Sequence, residues 1–309
     1  MSRPNVTITT TTLLVVFFVG SILALRRVDG MRPNATLQDV LFISSPKVLK
    51  RLSLGYDGLL ADIYWTRAVQ YFGERHAHRA SQYSLLAPLL EITTTLDPHL
   101  LVAYQFGANF LAPAPPYGAG MSKQAIDLIN YGIENNPNDW HLYYQLGFIY
   151  YMDRKDYANA AAAFERGTKV PHAHPFLKVL AAQMAQHAGD TQMARALWTT
   201  TYETTEDSQI RGNAIAHLRA LQVNDDVTAL EKLVSDYRGK TGKNPDTLSD
   251  LVRAGLLRSI PRDPTGRPYK IASEGRVEVE APDEMPFLEK GVPPGYEPPP
   301  PKDLEKLVK

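Results

Sequence analysis

Two histidine pairs are the residues in this sequence that could bind a metal ion. His76 and His78 lie in one His-Ala-His triplet, and His172 and His174 lie in another. Imidazole is a common zinc ligand, but a protein zinc site normally needs three or four ligands. Neither pair has an obvious third ligand in sequence, and side chains two positions apart on a helix diverge. We interpret both pairs as solvated histidines, and we predict no metal and no other cofactor.

Other catalytic signatures are missing or incomplete. Gly239-Lys240-Thr241 matches the end of a phosphate-binding loop, but the glycine that this motif requires earlier is replaced by Val234. The chain has no cysteine, which excludes thiolate nucleophiles, iron–sulfur clusters and disulfides. The adjacent carboxylates Asp225 and Asp226 are expected to cap a helix. We therefore expect a protein that is not an enzyme.

Composition limits the partners. The chain has 309 residues, of which 44% are hydrophobic and 21% charged, so it is long enough for two folded units with linkers. Lys plus Arg and Asp plus Glu both number 33, and no dense basic run occurs. Because a polyanion needs a positive field, we expect no nucleic-acid partner. The sequence leaves the oligomeric state open.

The N-terminal segment is predicted to be a membrane anchor. Residues 6–25 carry no charge, and the part from Leu13 is strongly apolar. A helix of this length reaches about 30 Å, the thickness of the hydrocarbon core of a bilayer. A cleaved secretory signal is the alternative, but Leu25-Arg26-Arg27 offers no small-x-small cleavage site. We expect residues 1–27 to form a transmembrane helix, followed by a linker over residues 28–55.

The charges that flank the anchor leave its orientation open. Arg26, Arg27 and Arg32 follow the segment and only Arg3 and the amino terminus precede it, which favours an outside N-terminus. Single anchors with a very short N-terminal tail nevertheless often export the rest of the chain. A C-terminal resemblance described below also favours export. We expect a single-pass protein of the bacterial inner membrane with an extracytoplasmic body.

Residues 56–222 repeat one helical pattern. The clearest copy, residues 140–171, has an aromatic residue, Leu146, Gly147 and Tyr150 in its first helix and Ala160, Phe164 and Gly167 in its second. The preceding copy has Gly107 and Gly132 at the same places and a longer turn over residues 112–120. Weaker copies begin at Trp65 and Leu177, and we expect helices over residues 208–222 and 227–237 to continue the series. A small residue at these places lets paired helices approach closely.

This pattern resembles the tetratricopeptide repeat. Residues 140–150 resemble its W-x2-L-G-x2-Y signature, with one residue inserted near Lys155. The resemblance implies an all-α fold, a solenoid of helical hairpins with an N-terminal transmembrane helix and a small C-terminal α+β module. A generic helical bundle is the alternative. The Lys and Asn positions of the repeats that clamp a terminal carboxylate are absent.

The same resemblance implies a binding groove for a protein or peptide on the concave side, formed by positions 2, 5, 9 and 12 of each first helix. In this sequence these positions are Thr66, Gln70, Tyr104, Ala108, His141, Tyr144, Phe148, Tyr151, Lys178, Ala182 and Gln186. The middle of the set is aromatic, which is typical of surfaces that bind peptides. The alternative is that Phe148 and Tyr151 pack under a flanking segment or a neighbouring helix.

The C-terminal region changes character. Two Leu-rich helical stretches precede Ile260-Pro261-Arg262-Asp263-Pro264-Thr265-Gly266-Arg267-Pro268-Tyr269, which resembles the globular part of a type II secretion major pseudopilin. Thr265 replaces the tryptophan of that family, and the prepilin cleavage signature is absent. We expect a pseudopilin-like module over residues 223–280, with a strand at 267–272 paired to one at 276–280, and a disordered Pro-rich tail over residues 281–309. An unrelated capping helix with a proline turn is the alternative.

These features predict a membrane-anchored adaptor or scaffold that binds another protein, in envelope assembly, secretion or pilus-related machinery. The secretion context depends on the resemblance alone. A metal-dependent or enzymatic envelope protein that uses the histidine pairs is one alternative. A purely structural spacer between the membrane and the tail is another.

Overall fold

The computed structural model describes residues 3–31 and 45–298. The first helix, α1, runs from Arg3 to Met31. Within the described part of the chain, no helix combines the length and the apolar character that crossing a membrane requires. Residues 1 and 2 of the predicted anchor lie outside the described residues, as do the side chains of residues 3–8 and of Leu25. The anchor stays a prediction.

The rest of the chain forms two compact units, which divide between Asn136 and Pro137. The first unit contains five helices after α1 in its described residues, and the division falls inside the region predicted as one array. These helices are α2 (Pro46–Leu52), α3 (Asp57–Ala77), α4 (Leu86–Leu96), α5 (Leu101–Leu111) and α6 (Ser122–Asn135).

Part of the predicted linker, residues 28–55, is helical. Leu49 of α2 is buried, and Lys50 Nζ donates a hydrogen bond to the Thr95 carbonyl oxygen of α4 at 2.9 Å. Helix α2 therefore packs on the folded unit and belongs to it. Residues 32–44 of the predicted linker lie outside the described residues.

Two glycines let the helices of the first unit approach closely. A Cβ atom on Gly107 would lie 2.8 Å from a Leu90 methyl group, and one on Gly132 would lie 2.8 Å from the Tyr104 ring. Both distances are shorter than carbon atoms tolerate, so a larger residue would require the Leu90 side chain or the Tyr104 ring to shift. Helices α3 and α4 pack as one pair and α5 and α6 as another, as the repeat pattern predicts.

The second unit begins with a further series of paired helices. They are α7 (Trp140–Phe148), a π-helical segment (Ile149–Arg154), α8 (Tyr157–Thr168), α9 (Phe176–His187), α10 (Thr191–Thr204) and α11 (Ser208–Thr241). An aspartate side chain caps the N-terminus of four of these helices by accepting hydrogen bonds from backbone N–H groups. The capping residues are Asp139, Asp156, Asp190 and Asp207.

The π-helical segment accounts for the extra residue of the clearest repeat copy. A π-helical turn accommodates one more residue than an α-helical turn. It ends at Lys155, which has the left-handed φ of 53°. The segment therefore absorbs the insertion while α7 and α8 still pair. Gly147 sits directly against the Phe164 ring, and a Cβ atom on Gly167 would lie 2.9 Å from Tyr143 Cβ.

Helix α11 is longer than the sequence indicated. The helices expected over residues 208–222 and 227–237 are one helix of 34 residues, so the predicted boundary at residue 223 falls inside it. No Gly or Pro separates the two parts, and Val223 and Val227, four residues apart, are both buried on one face. The prediction that Asp225 and Asp226 cap a helix is therefore wrong, because both lie in its interior.

The C-terminal part packs on the second half of α11. It contains α12 (Leu248–Arg253), β1 (Lys270–Ile271) and β2 (Val277–Glu278), and the two strands pair antiparallel with Ile271 opposite Val277. The predicted strand pairing is confirmed over this short stretch. The core contains Leu230, Val234, Leu251, Tyr269 and Val277. The predicted all-α class holds for the described residues, which are mostly helical with this one small sheet.

The prediction of a disordered tail is wrong for residues 281–298. Met285 is buried, and the Val279 N–H donates to the Gly291 carbonyl oxygen at 2.8 Å. Gly291 adopts a positive φ of 79°, and a Cβ atom there would lie 3.0 Å from a Val227 methyl group. These few apolar residues fit against α11, so the high proline content does not prevent ordered packing. Residues 299–309 of the predicted tail lie outside the described residues.

Candidate functional site

The structure separates the predicted groove residues by exposure. Thr66, Gln70 and His141 are exposed, and Tyr144, Phe148, Tyr151, Lys178 and Gln186 are partly buried. Tyr104, Ala108 and Ala182 are fully buried. The last three cannot contact a partner, so their assignment to the groove is wrong.

Tyr104 belongs to the core of the first unit for a clear physical reason. Its ring covers Gly132 of α6, and its hydroxyl group donates a hydrogen bond to the Pro98 carbonyl oxygen at 3.0 Å. Burial raises the pKa of this hydroxyl far above its usual range, with a smaller contribution from the nearby Tyr131. A ring held at both ends in this way is a packing element.

Four aromatic residues of the second unit form a continuous surface, which we call the aromatic face: Tyr144, Phe148, Tyr151 and Tyr157. Their ring centroids are 4.6 Å apart for Tyr144 and Phe148, 6.2 Å for Phe148 and Tyr151, and 6.0 Å for Tyr151 and Tyr157. All four are partly buried. Helix α7 and the π-helical segment carry the first three, and α8 supplies the fourth.

The inner side of the aromatic face rests on the core. Phe148 meets the buried Phe164 ring edge-on at 5.6 Å, and Tyr144 lies 6.3 Å from the same ring. Tyr144 and Phe148 therefore contribute to packing, in agreement with the alternative reading given above for Phe148. Tyr151 and Tyr157 also pack against this core while staying partly exposed. Lys155 Nζ lies 5.9 Å from the Tyr151 ring centroid, and the His187 ring lies 5.6 Å from that of Tyr157. We call Tyr151 and Tyr157, which lie beyond the end of α7, the outer edge of the face.

The predicted groove residues of α9 already have partners within the chain. Lys178 Nζ donates to Thr204 Oγ1 at 2.8 Å. Gln186 pairs with His217 Nδ1 at 3.0 Å through its side-chain oxygen and donates through its nitrogen to Glu289 at 3.1 Å. The region around Gln186 is thus covered by residues 285–291, which we call the C-terminal strap.

A stack of three rings fastens the C-terminal strap. The His217 ring lies parallel to Trp198 at 4.1 Å on one side and parallel to Phe287 at 3.9 Å on the other. Burial lowers the pKa of His217 to about 4, with a smaller contribution from His187, so its imidazole is neutral near pH 7. Since the Gln186 oxygen can only accept, Nδ1 carries the proton. Nε2 has no hydrogen-bond partner among the described residues.

Backbone hydrogen bonds complete the attachment of the strap. The N–H groups of Glu289 and Lys290 both donate to the Asn224 side-chain oxygen, at 3.4 and 3.0 Å, and Lys290 Nζ donates to Thr228 at 2.8 Å. The second unit therefore holds a turn-rich, non-helical segment by one aromatic anchor and several polar contacts. The sequence contained no local signal for this contact, because Gln186 and Glu289 are 103 residues apart.

The first unit has a cleft of about 710 Å³ between α4 and α6. Its lining combines apolar residues with side chains of both charges. The lining residues include the buried Leu90, Thr94 and Leu128, the exposed Tyr131, and the charged Lys47, Glu91 and Asp127. The predicted groove positions do not line this cleft.

The two histidine pairs lie outside the aromatic face and the C-terminal strap. Each of the four side chains is exposed, and His172 and His174 border a cleft of about 660 Å³ that Lys178 also lines. His174 Nδ1 accepts a hydrogen bond from the Phe176 N–H at 3.2 Å. Among the described residues, no three side chains of His, Cys, Asp or Glu are grouped so that they could hold a metal ion.

Comparison with known proteins gives no family assignment. No family model matches the sequence, and no curated protein matches it.

Proposed function

We propose that the protein is a membrane-anchored adaptor whose helical hairpins resemble tetratricopeptide repeats and bind another protein. Support comes from the close contacts at Gly107, Gly147 and Gly167, which lie where the repeat pattern requires small residues. Further support is the pairing of successive helices within each unit. The charge-free residues 6–25 within α1 support the anchor.

The proposed binding surface is the outer edge of the aromatic face, together with His141. The observation that carries this proposal is the partial exposure of Tyr151 and Tyr157 beside the core. Partly exposed tyrosines provide apolar area and a hydrogen-bonding group at a small entropic cost, so they are frequent in binding surfaces. His141 lies on α7, which also carries Tyr144 and Phe148 of the face, and its Nδ1 is 2.7 Å from the Asp139 carboxylate.

The C-terminal strap supports the idea that this type of helical surface accepts a non-helical segment of chain. In the strap, Phe287 supplies an apolar anchor while backbone N–H groups bind a side-chain oxygen. Peptide recognition by helical scaffolds commonly combines the same two elements. A partner segment with an aromatic anchor and polar neighbours is thus the ligand that we propose for the aromatic face. We propose that the protein acts in envelope assembly, secretion or pilus-related machinery, because its C-terminal module resembles a major pseudopilin.

Crosslinked pull-down from native membranes tests the proposal with the full chain. Tyr151→Ala and His141→Ala should reduce recovery of a specific partner, Tyr151→Ala by about 5-fold to 100-fold, the range for an aromatic hot spot. Tyr202→Ala is the matched control, since Tyr202 is a partly exposed tyrosine of α10 outside the face. Equal recovery with all three variants, at unchanged thermal stability, would refute the aromatic face as the binding surface.

A further inference from the structure

The turn between α2 and α3 presents large apolar side chains to solvent. Leu54 is 86% exposed, Tyr56 67%, Leu52 65% and Leu59 58%. Single exposed apolar residues are common in proteins. Four of them within eight positions form a patch, and patches of this kind mark surfaces that contact a partner or a membrane. We call residues 52–59 the apolar turn.

The backbone of the apolar turn is fixed in an unusual conformation. Leu54 has a φ of 52° and Gly55 a φ of 92°, in the left-handed region that leucine seldom adopts. The Tyr56 N–H donates to the Ser53 carbonyl oxygen at 2.9 Å, and the buried Ser53 hydroxyl contacts the Asp57 carboxylate. The turn therefore keeps Leu54 directed outward at a conformational cost, and such sites are frequently functional.

Basic residues lie next to the apolar turn. Helix α2 contains Lys47, Lys50 and Arg51 and no acidic residue, and all three side chains are exposed. Lys50 is held by the Thr95 carbonyl oxygen, which leaves Lys47 and Arg51 as the outward charges. Apolar side chains flanked by Lys and Arg are the combination that binds the interface of an anionic bilayer.

The length of the chain limits the distance between the apolar turn and the proposed anchor. Helix α1 ends at Met31, and the described chain resumes at Ser45, 14 positions later. Even a fully extended chain of that length spans at most about 50 Å. The bilayer that holds the anchor is consequently the apolar phase within reach of the turn.

We propose that the apolar turn inserts Leu52, Leu54, Tyr56 and Leu59 into the interface of an anionic lipid bilayer, with Lys47 and Arg51 on the headgroups. This proposal rests on the proposed membrane anchor and adds a second contact between the folded body and the lipid. The contact would fix the orientation of the first unit above the membrane, which the anchor alone would not do.

A site-specific fluorescence experiment tests this contact, since the chain has no cysteine. Leu54→Cys in the full chain carries an environment-sensitive dye, and the protein is placed in nanodiscs made with or without brominated lipid. Phe17→Cys reports on the anchor. Met152→Cys, which is 53% exposed in the second unit, is the control for a solvent position. Because Leu54 is exposed, its replacement should leave the circular dichroism spectrum unchanged.

The expected result is loss of emission from the label at 54 in brominated nanodiscs and no loss from the label at 152. The loss should be greater with phosphatidylglycerol than with phosphatidylcholine alone, and Lys47→Ala with Arg51→Ala should remove that difference. Quenching at 17 without quenching at 54 would overturn the proposal and leave the anchor standing. No quenching at 17 would show that the anchor itself is wrong, and the proposal with it. Shielding of the label at 54 that depends on protein concentration without lipid would assign the turn to a second copy instead.

Discussion

Acidification should weaken the second unit through His217. Its pKa is about 4 in the folded chain, against 6.5 for an unperturbed histidine, because burial between Trp198 and Phe287 disfavours the charged ring. The unfolded chain therefore binds this proton at a higher pH than the folded chain does. The contribution of His217 to stability is complete above about pH 6.5, decreases as the pH falls towards 4, and is constant below that value.

The size of the effect follows from the difference between the two pKa values. One pKa unit corresponds to about 1.4 kcal/mol, so full protonation should lower the free energy of unfolding by about 3 kcal/mol. The first consequence of the proton should be release of the C-terminal strap, since Phe287 stacks directly on the imidazole. Phe287→Ala exposes one side of the ring, so it should raise the pKa of His217 and reduce the pH dependence.

Urea unfolding between pH 7.5 and pH 4 measures this dependence. His217→Phe is the comparison variant, because it keeps an aromatic ring between Trp198 and Phe287 but cannot titrate. Subtracting its pH profile from that of the unchanged chain removes the contributions of all other titrating groups. Parallel profiles for the two proteins would refute the assignment of a depressed pKa to His217.

Three further predictions concern stability and are measured by thermal or urea unfolding. Gly147→Ala should destabilise the second unit by about 1–3 kcal/mol because the new Cβ would meet the Phe164 ring. Gly212→Ala, within α11 where no atom lies near the new Cβ, should stabilise the unit by about 0.5–1 kcal/mol. Equal effects of the two variants would contradict the close packing at Gly147. Asp263→Ala should lower the free energy of unfolding by at least about 2 kcal/mol, because the buried carboxylate accepts hydrogen bonds from the Thr265 and Arg267 N–H groups. Asp263→Asn should lower it less, since the amide keeps one acceptor oxygen. Leu146→Ala should cost about 2–5 kcal/mol, and a similar loss for Tyr151→Ala would place Tyr151 in the core.

The paired helices could be predicted from sequence because their determinants are local. Gly147 and Phe164 are 17 positions apart, and a small residue followed by a large apolar residue recurs at the corresponding places of the neighbouring copies, which predicts the faces that meet. The insertion near Lys155 was also visible, although only the structure shows that a π-helical segment absorbs it. The strand pairing across residues 273–275 was predictable for a similar reason, since a glycine-containing turn separates two short apolar stretches.

The length of α11 and the packing of the C-terminal strap could not be predicted from local sequence patterns. Residues 222–227 include no Gly or Pro that would end a helix. The change from the repeat pattern to the pseudopilin-like pattern nevertheless suggested a domain boundary there, whereas α11 continues through these residues. In the strap, proline content suggested disorder, because composition gives no information about a fit to a distant surface. Phe287 stacks on His217 of α11, and Met285 packs into the core that contains Val227.

The assignment of Tyr104 to the groove is wrong for a reason that applies equally to the aromatic face. Helical periodicity tells which residues share a face, but it does not tell whether that face is covered by a neighbouring element. Tyr104 and Tyr144 were assigned to equivalent positions of the repeat pattern, and one is fully buried over Gly132 while the other is partly exposed. Aromatic residues serve both packing and binding, so their type cannot distinguish the two uses. Only exposure separates them, which is why Tyr151 and not Tyr104 is the residue at which the adaptor hypothesis can be tested.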